Sequence, residues 1–451
     1  MNVTIVGTGY VGITTGVALA YFGHQVTCVD KNPNIIETLK TGTPTIHEPG
    51  LDELLKLSME NLTFSTEIPE LAGESIVITA VGTPTRPDGD ADLQYVDAAS
   101  REVAERIQPG AKIVVVNKST VPVGTARHVE TIIERVLAER DVEATVYTAS
   151  NPEFLAEGRA VRDTLFPDRV VVGTDAAEAA QMMNTLYKPL LEQTFTPPRQ
   201  TPRPEGYQLP IFITTSATSS ELTKYAANSF LATKISFINE FAGLAEHVGA
   251  DITEVARAIG LDERIGRRFL NAGIGWGGSC FGKDTRAIVT TADRYDYDMP
   301  IVKSAIDVNT RQRLHVLELL QRELKVLRGM TIGLLGLSFK GNTDDLRDAP
   351  ALTLIEQLTE RGAVVRVHDP ITIPHAKAQY PDLSVEYCED LPCLALGCDA
   401  LILVTDWQDY RQLPLAEMKE RMRGDLLLDA RNLLKPEDVE RQGLKYLGIG
   451  R

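Results

Sequence analysis

The chain has 451 residues, 43% hydrophobic and 24% charged, the balance of a folded protein with two or three domains rather than one small core. With 46 Lys and Arg against 62 Asp and Glu, its net charge is −16 and no basic tract occurs, which argues against a nucleic-acid or anionic-membrane surface. No apolar run approaches a membrane span, and no charged leader or cleavage site opens the sequence. The five cysteines (Cys28, Cys280, Cys388, Cys393 and Cys398) show neither disulfide nor zinc spacing, so a cytoplasmic protein without a metal is expected.

The first elements read as strand, turn, helix, strand. Val3–Val6 is apolar and β-branched, as a parallel strand buried on both faces should be. GTGYVG follows, then an Ala- and Gly-rich helix through Phe22 and the strand Gln25–Asp30. Apolar runs recur at Ser75–Gly82, Lys112–Thr120, Thr145–Pro152 and Arg169–Gly173, mostly separated by helix-compatible segments. That alternation predicts a doubly wound α/β domain.

Thr194–Pro210 holds five prolines and few apolar anchors, and reads as an exposed excursion. Ser219 to Gly249 predicts one long helix, apolar all round and so buried between domains or subunits. A second α/β block follows from Met330, with strands in TIGLLGLSF, Val364–Pro370, Ala400–Trp407 and Leu426–Arg431. It repeats the order of the first block without its glycine triplet. Two Rossmann-like, doubly wound parallel-sheet domains (1–210 and 326–451) are expected, joined by a central helical region (211–325). Such halves point to two ligands meeting across a cleft.

Gly7, Gly9 and Gly12 form G-x-G-x-x-G between a strand and a helix. The first glycine permits the tight turn, the second lets a pyrophosphate approach the backbone, and the third lets helix and strand pack closely. The helix N-terminus adds free N–H groups and a partial positive charge. Asp30 closes the second strand, placed to bind a ribose diol and to repel a 2′-phosphate, which favours NAD over NADP. A turn serving only packing and a flavin site are the competing readings.

In GIGWGGSCFGKD (Gly273–Asp284), Cys280 follows four glycines and precedes Lys283 and Asp284. Glycines free backbone N–H groups to face a reacting oxygen or a phosphate, and a nearby cation favours the thiolate. A lone cysteine in an apolar stretch is ordinarily core. Beside an NAD site, a thiol points instead to aldehyde chemistry: a thiohemiacetal forms, hydride leaves, and water cleaves the remaining thioester.

These segments, together with VGTPT (Val81–Thr85), STVPVGT (Ser119–Thr125), NPEFLAEG (Asn151–Gly158), KYAANSFLATKISFINE (Lys224–Glu240), GLSFKGNTDDLRDAP (Gly336–Pro350) and DAR (Asp429–Arg431), resemble the UDP-glucose/GDP-mannose dehydrogenase family in order and nearly end to end. The resemblance implies two hydride transfers to two NAD molecules, converting the primary alcohol of a nucleotide sugar to a carboxylate. Domain 1–210 would bind NAD, 211–325 would provide the dimer contact and the catalytic loop, and 326–451 would hold the nucleotide sugar. A homodimer or higher homo-oligomer is implied.

By motif position, Cys280 would carry the covalent intermediates, with Lys224 and Asn228 stabilising the oxyanion. Asp284 and Thr120 would hold a proton-relaying water, and Glu157 would assist thioester hydrolysis. Cofactor contacts would come from Gly7, Gly9, Tyr10, Val11, Gly12, Asp30, Thr83, Thr120, Glu157, Lys283 and Arg347. Substrate contacts would come from Glu153, Phe154, Leu155, Lys224, Asn228, Gly277, Phe339 and Lys340, with Arg264 reaching across a dimer interface and Arg431 meeting the new carboxylate.

The residues agree where they can. Lys224 and Asn228 are four apart, so a helix aims both at one spot. Glu153 and Glu157 are also four apart, but in a segment that could turn either way. Gly282 stands where many relatives resemble one another in having proline, which predicts a more mobile loop. Ser279, where N-acetyl-sugar relatives have His, leans towards glucose or mannose nucleotides, and Phe281 with the KISFINE stretch resembles the UDP-glucose branch more than the GDP-mannose branch. The rival classes are a two-electron 3-hydroxyacid dehydrogenase and a non-catalytic nucleotide-sugar sensor.

Overall fold

The structure, a computed structural model, describes residues 1–451 as two compact units: Met1–Ala227 with Arg286–Asp296, and Asn228–Thr285 with Tyr297–Arg451. The first is built on eight strands: β1 (Asn2–Val6), β2 (Gln25–Val29), β3 (Leu62–Ser65), β4 (Glu74–Thr79), β5 (Lys112–Asn117), β6 (Thr145–Ser150), β7 (Arg169–Gly173) and β8 (Ile211–Thr215). Their order is β3-β2-β1-β4-β5-β6-β7-β8. Neighbours run parallel except β6 and β7, which meet antiparallel at Ser150 and Gly173. Winding reverses between β1 and β4, the point beyond whose carboxyl ends such sheets bind ligands.

Alternation along the strands feeds two cores. Ile76 and Ile78 of β4 and Val114 and Val116 of β5 pack on one face, Val77, Ile113 and Val115 on the other. Each fully buried side chain of this kind contributes about 1.5–3 kcal/mol. The expected excursion is pinned rather than loose. Phe195 packs on Phe22 with ring centroids 4.8 Å apart, the Glu53 carboxylate accepts the Arg199 and Gln200 amides, and Tyr207 donates to the Pro167 carbonyl.

The second unit holds a six-stranded parallel sheet of β9 (Thr331–Leu335), β10 (Val364–His368), β11 (Glu386–Tyr387), β12 (Ala400–Leu403), β13 (Leu426–Asp429) and β14 (Lys445–Gly448), in the order β11-β10-β9-β12-β13-β14. Its entry turn repeats the first unit's. Gly7 has φ +99° and donates to the Val29 carbonyl at 2.8 Å; Gly336 has φ +103° and donates to the His368 carbonyl at 2.8 Å.

The long helix spans Ala217–Val248, two residues earlier at its start than the sequence predicts. Ile238, Ala242 and Ala245 bury one side of it in the second core. Phe230, Phe237, Phe241, Leu244 and Val248 stand 44–66% exposed on the single chain, so of the two settings expected for this helix, between domains or between subunits, the first does not cover this face.

Glu246 on this helix ties two distant segments to it. Both its carboxylate oxygens lie 3.0 Å from His315 Nε2, and Oε1 also accepts the Gly450 amide at 3.0 Å. The Glu246 hydrogen bond holds His315 above its ordinary protonation range. Because the folded value exceeds the unfolded one of about 6.5, this stabilisation is complete below that pH and disappears as pH rises through the folded value. Urea unfolding at pH about 6 and about 9 should therefore show a loss on the order of 1 kcal/mol in the parent that His315→Gln lacks. Equal pH sensitivity in the two would remove His315 from the account.

Candidate active site

The glycine turn is built by close approach. A Cβ on Gly12 would lie 1.9 Å from the Gly7 carbonyl oxygen, and one on Gly7 2.7 Å from that of Ala80. At Gly9 no atom lies within 4 Å of such a Cβ, so the backbone there is open to a ligand. Gly9 caps the helix Tyr10–Tyr21 without a side-chain hydrogen bond, leaving the amides near Tyr10 and Val11 at its positive end. Asp30 is held over the turn: its Oδ2 accepts the Thr8 amide at 3.1 Å and hydroxyl at 2.7 Å.

The strand ends beyond β4 and β5 bring Thr83 and Thr120 together, the Thr83 hydroxyl donating to the Thr120 carbonyl at 3.0 Å. The Asn151–Gly158 loop carries Glu153 and Glu157, both 8% exposed. Glu153 Oε1 lies 2.7 Å from Lys224 Nζ, and Oε2 accepts the Leu155 amide at 2.8 Å. Phe154 packs beneath the Arg169 guanidinium, 3.8 Å from its ring centroid, with Lys224 Nζ at 5.7 Å. The segment is not helical, which is why equal spacing does not give the two carboxylates equal surroundings.

In the second unit Cys280 is half-buried, its Sγ 3.5 Å from Ser279 Oγ. Its carbonyl accepts the Asp284 amide at 2.9 Å, so the thiol stands at the N-terminus of the helix Phe281–Asp293. Asp284 is fully buried between Lys283 Nζ at 2.6 Å and Asn228 Nδ2, which donates at 2.6 Å. Lys224 and Asn228 occupy successive turns of the long helix and are 3% and 6% exposed. Gly282 falls in the first turn of the Phe281–Asp293 helix, where proline costs no hydrogen bond, so the difference from relatives alters helix propensity rather than loop freedom.

The four glycines before Cys280 are points of close approach in a packed layer. Added Cβ atoms would meet the Ala430 carbonyl at Gly273 (2.6 Å), Asn309 Oδ1 at Gly275 (2.4 Å), the Asp348 carbonyl at Gly277 (2.3 Å) and the Phe339 ring at Gly278 (2.8 Å). Arg431 reinforces this layer, donating to the carbonyls of Val404, Gly275 and Phe339 at 2.7–3.1 Å. That occupation is structural, and burial pushes its guanidinium below the ordinary range. Lys340 lies 5.3 Å from the Phe339 ring centroid. Arg347 is ion-paired to Asp345 at 2.7 Å, and Arg264, 88% exposed, to Asp262 at 2.6 Å.

Three buried groups escaped the sequence reading. Glu48 accepts the amides of Gly158 and Ala160, both at 2.7 Å; Glu221 accepts those of Gly124 and Ala126 at 2.6 and 2.8 Å. Lys118, 8% exposed, donates to Asn151 Oδ1. An acidic residue three positions before a lysine on a predicted helix, as Glu221 is to Lys224, offered no sign of an amide partner about a hundred residues away.

Comparison with known proteins matches residues 1–191 to the NAD binding domain of the UDP-glucose/GDP-mannose dehydrogenase family, 218–311 to its central domain and 333–436 to its UDP binding domain. A UDP-glucose 6-dehydrogenase of Bacillus subtilis (strain 168) is 42% identical over 454 residues, covering 100% of this chain and 98% of that protein. One from Rhizobium meliloti (strain 1021) is 43% identical, with 100% of both covered. A UDP-glucose dehydrogenase structure from Pyrobaculum islandicum superposes with TM-score 0.84 at 38% identity, covering 100% of this chain and 97% of the other.

The glycine turn fits NAD: open backbone at Gly9, a helix N-terminus without a side-chain cap and a carboxylate fixed above them. Asp30→Ala should weaken NAD binding about tenfold or more, since hydrogen bonds to a charged group are worth about 1.5–3 kcal/mol, while leaving nucleotide-sugar binding within about twofold. Titrations of each ligand check this, and equal losses would refute the ribose assignment.

Proposed function

This chain belongs to the UDP-glucose/GDP-mannose dehydrogenase family, whose substrates are nucleotide sugars and whose cofactor is NAD, and we propose that it oxidises UDP-glucose to UDP-glucuronate through a covalent intermediate on Cys280. The observation that carries this reading is the half-buried thiol at a helix N-terminus with the buried Lys283–Asp284–Asn228 network one turn on. The nearly full-length relatives bearing the UDP-glucose name favour that sugar.

NAD, when bound, supplies the hydride acceptor for both oxidations. Cys280 Sγ adds to the aldehyde carbon left by the first oxidation; a C–S bond forms and the carbonyl electrons move onto oxygen. Lys224 and Asn228 receive that negative oxygen as donors in a dry site. Such a donor is worth roughly a hundredfold to a thousandfold in rate. After the second hydride leaves, water attacks the thioester, the C–S bond breaks, and the thiolate departs from the new carboxylate. Asp284 and Thr120 hold the water that carries protons. Of the two loop acids, Glu157 takes the hydrolytic role by motif, and Glu153 keeps Lys224 in place by its ion pair.

Cys280→Ser should bind NAD and UDP-glucose within about threefold of the parent yet lose net oxidation by about a thousandfold or more. The parent should release two NADH per UDP-glucose and markedly fewer with GDP-mannose or an N-acetylated sugar. Near-normal turnover by the serine variant would falsify the covalent route, and one NADH per sugar would indicate a two-electron enzyme instead.

The assembly we propose is a homodimer through the long helix. Phe230, Phe237, Phe241, Leu244 and Val248 recur at helical spacing as one exposed apolar stripe, the kind of surface that marks an interaction site. A second copy would cover it and could bring Arg264 to its partner's substrate. No helix is long and apolar enough to cross a membrane, and five cysteines without a disulfide suit the cytoplasm. Light scattering should give twice the chain mass for the parent and the single-chain mass for Phe237→Asp/Phe241→Asp. An unchanged mass for the double variant would place the contact elsewhere.

A further inference from the structure

Two buried ammonium groups share one carboxylate in the first unit. Lys224 takes the direct ion pair with Glu153 at 2.7 Å. Lys118 is hydrogen-bonded to neutral oxygens instead: Asn151 Oδ1 at 3.1 Å and the Tyr187 hydroxyl at 3.5 Å. Tyr187 donates to the same Asn151 oxygen at 2.6 Å, and Asn151 Nδ2 donates to the Val171 carbonyl at 2.8 Å. This hub sits at the root of the loop, two residues before Glu153.

A buried ammonium without a carboxylate of its own is costly, and a chain seeking only stability would place an apolar residue there. Its electrostatic consequence is definite. Glu153 largely cancels the charge of Lys224, so the pair alone offers a weak field to a developing negative oxygen. With Lys118 protonated, the three groups carry one net positive charge in a low-dielectric setting, where Coulomb interactions are several times stronger than in water.

We propose that Lys118 is a positioning residue for the oxidation: through Asn151 it fixes the root of the Glu153 loop, and its charge keeps the Glu153–Lys224 pair net positive towards an oxyanion. The inference rests on the assignment of Lys224 to that oxyanion. Burial lowers the Lys118 ammonium to about 8, with Glu153 opposing the shift and Lys224 adding to it. Tyr187, the other titratable group in contact, is pushed far above its ordinary range by burial and stays neutral. The Lys118 charge is therefore present at neutral pH and lost as pH rises through about 8.

The test is steady-state kinetics with NAD and UDP-glucose from pH about 6.5 to about 9.5 for the parent, Lys118→Met and Lys118→Arg, with NAD affinity titrated separately. The parent's kcat should decline through pH about 8. Lys118→Met should lose about tenfold or more in kcat at pH 7, show no inflection near 8, and keep its KM for NAD within about twofold. Lys118→Arg, a permanent cation, should recover most of the rate and stay flat through 8.

A methionine variant with kcat within about twofold of the parent and the same pH profile overturns the proposal. So does one that loses only thermal stability. If Lys118→Met does not fold, Asn151→Asp decides: a carboxylate against the ammonium should move the inflection to higher pH, and an inflection that stays put overturns the proposal. A parent that makes no NADH from UDP-glucose brings down the oxidation reading itself, and this inference with it. A parent that turns over beside an unaltered Lys118→Met removes only Lys118.

Discussion

Loops at strand ends carry the residues proposed for the chemistry of this protein, and a buried loop has backbone amides that no ladder satisfies. Buried carboxylates supply the missing acceptors. Glu48 takes the amides of Gly158 and Ala160 beside Glu157, and Glu221 those of Gly124 and Ala126 beyond Thr120. Both turns pass through a glycine at positive φ, +77° at Gly158 and +98° at Gly124, so each pair of amides converges on one carboxylate. An orphaned buried amide costs about 1–3 kcal/mol, and a bond to a charged acceptor returns about 1.5–3. The acids bear a cost of their own: burial raises Glu221 above the usual carboxylate range even though two amides pull it down.

The two entry turns show the same local geometry put to different ends. Asp30 accepts from Thr8 at the rim of the first turn, with the open backbone of Gly9 beside it. Asp369 occupies the matching place after β10, but there it accepts the Leu337 and Ser338 amides, the Ile371 and Thr372 amides, and the Trp407 indole N–H. It is 4% exposed and has no lone pair left for a ribose. The first turn leads straight into the helix Tyr10–Tyr21, whereas thirteen residues separate Gly336 from the helix at Pro350. Without a helix N-terminus at the strand end, the second turn cannot repeat the phosphate site of the first.

Doubly buried parallel strands were legible because they read as unbroken apolar runs, and the glycine turn because its three positions have separate mechanical reasons. β8 was not: IFITT forms a sheet edge, with Ile211 66% and Ile213 40% exposed, and its polar flanks resemble the preceding excursion. β11, two residues long, carries too little pattern to find. The clamps of Glu48 and Glu221 were out of reach because their partners are amides, which every sequence has everywhere. Lys118 was hidden for the opposite reason: KST after an apolar strand looks like a solvated strand end, and only the fold reveals Asn151 and Tyr187 closing over it. The spacing of Glu153 and Glu157 left open which way their segment turns, and it forms a non-helical loop.

The covalent role proposed for Cys280 draws on more than its neighbouring cation. Lys283 is the adjacent cation, but its Nζ is 2.6 Å from Asp284, so its field at the sulfur is largely cancelled. The thiol itself stands at the N-terminus of the helix Phe281–Asp293. Such termini stabilise an anion by about 0.3–1 kcal/mol when exposed and up to ~2 in partly buried settings. Burying Asp284 between Lys283 and Asn228 therefore engages that cation in a polar network in the turn that follows the sulfur.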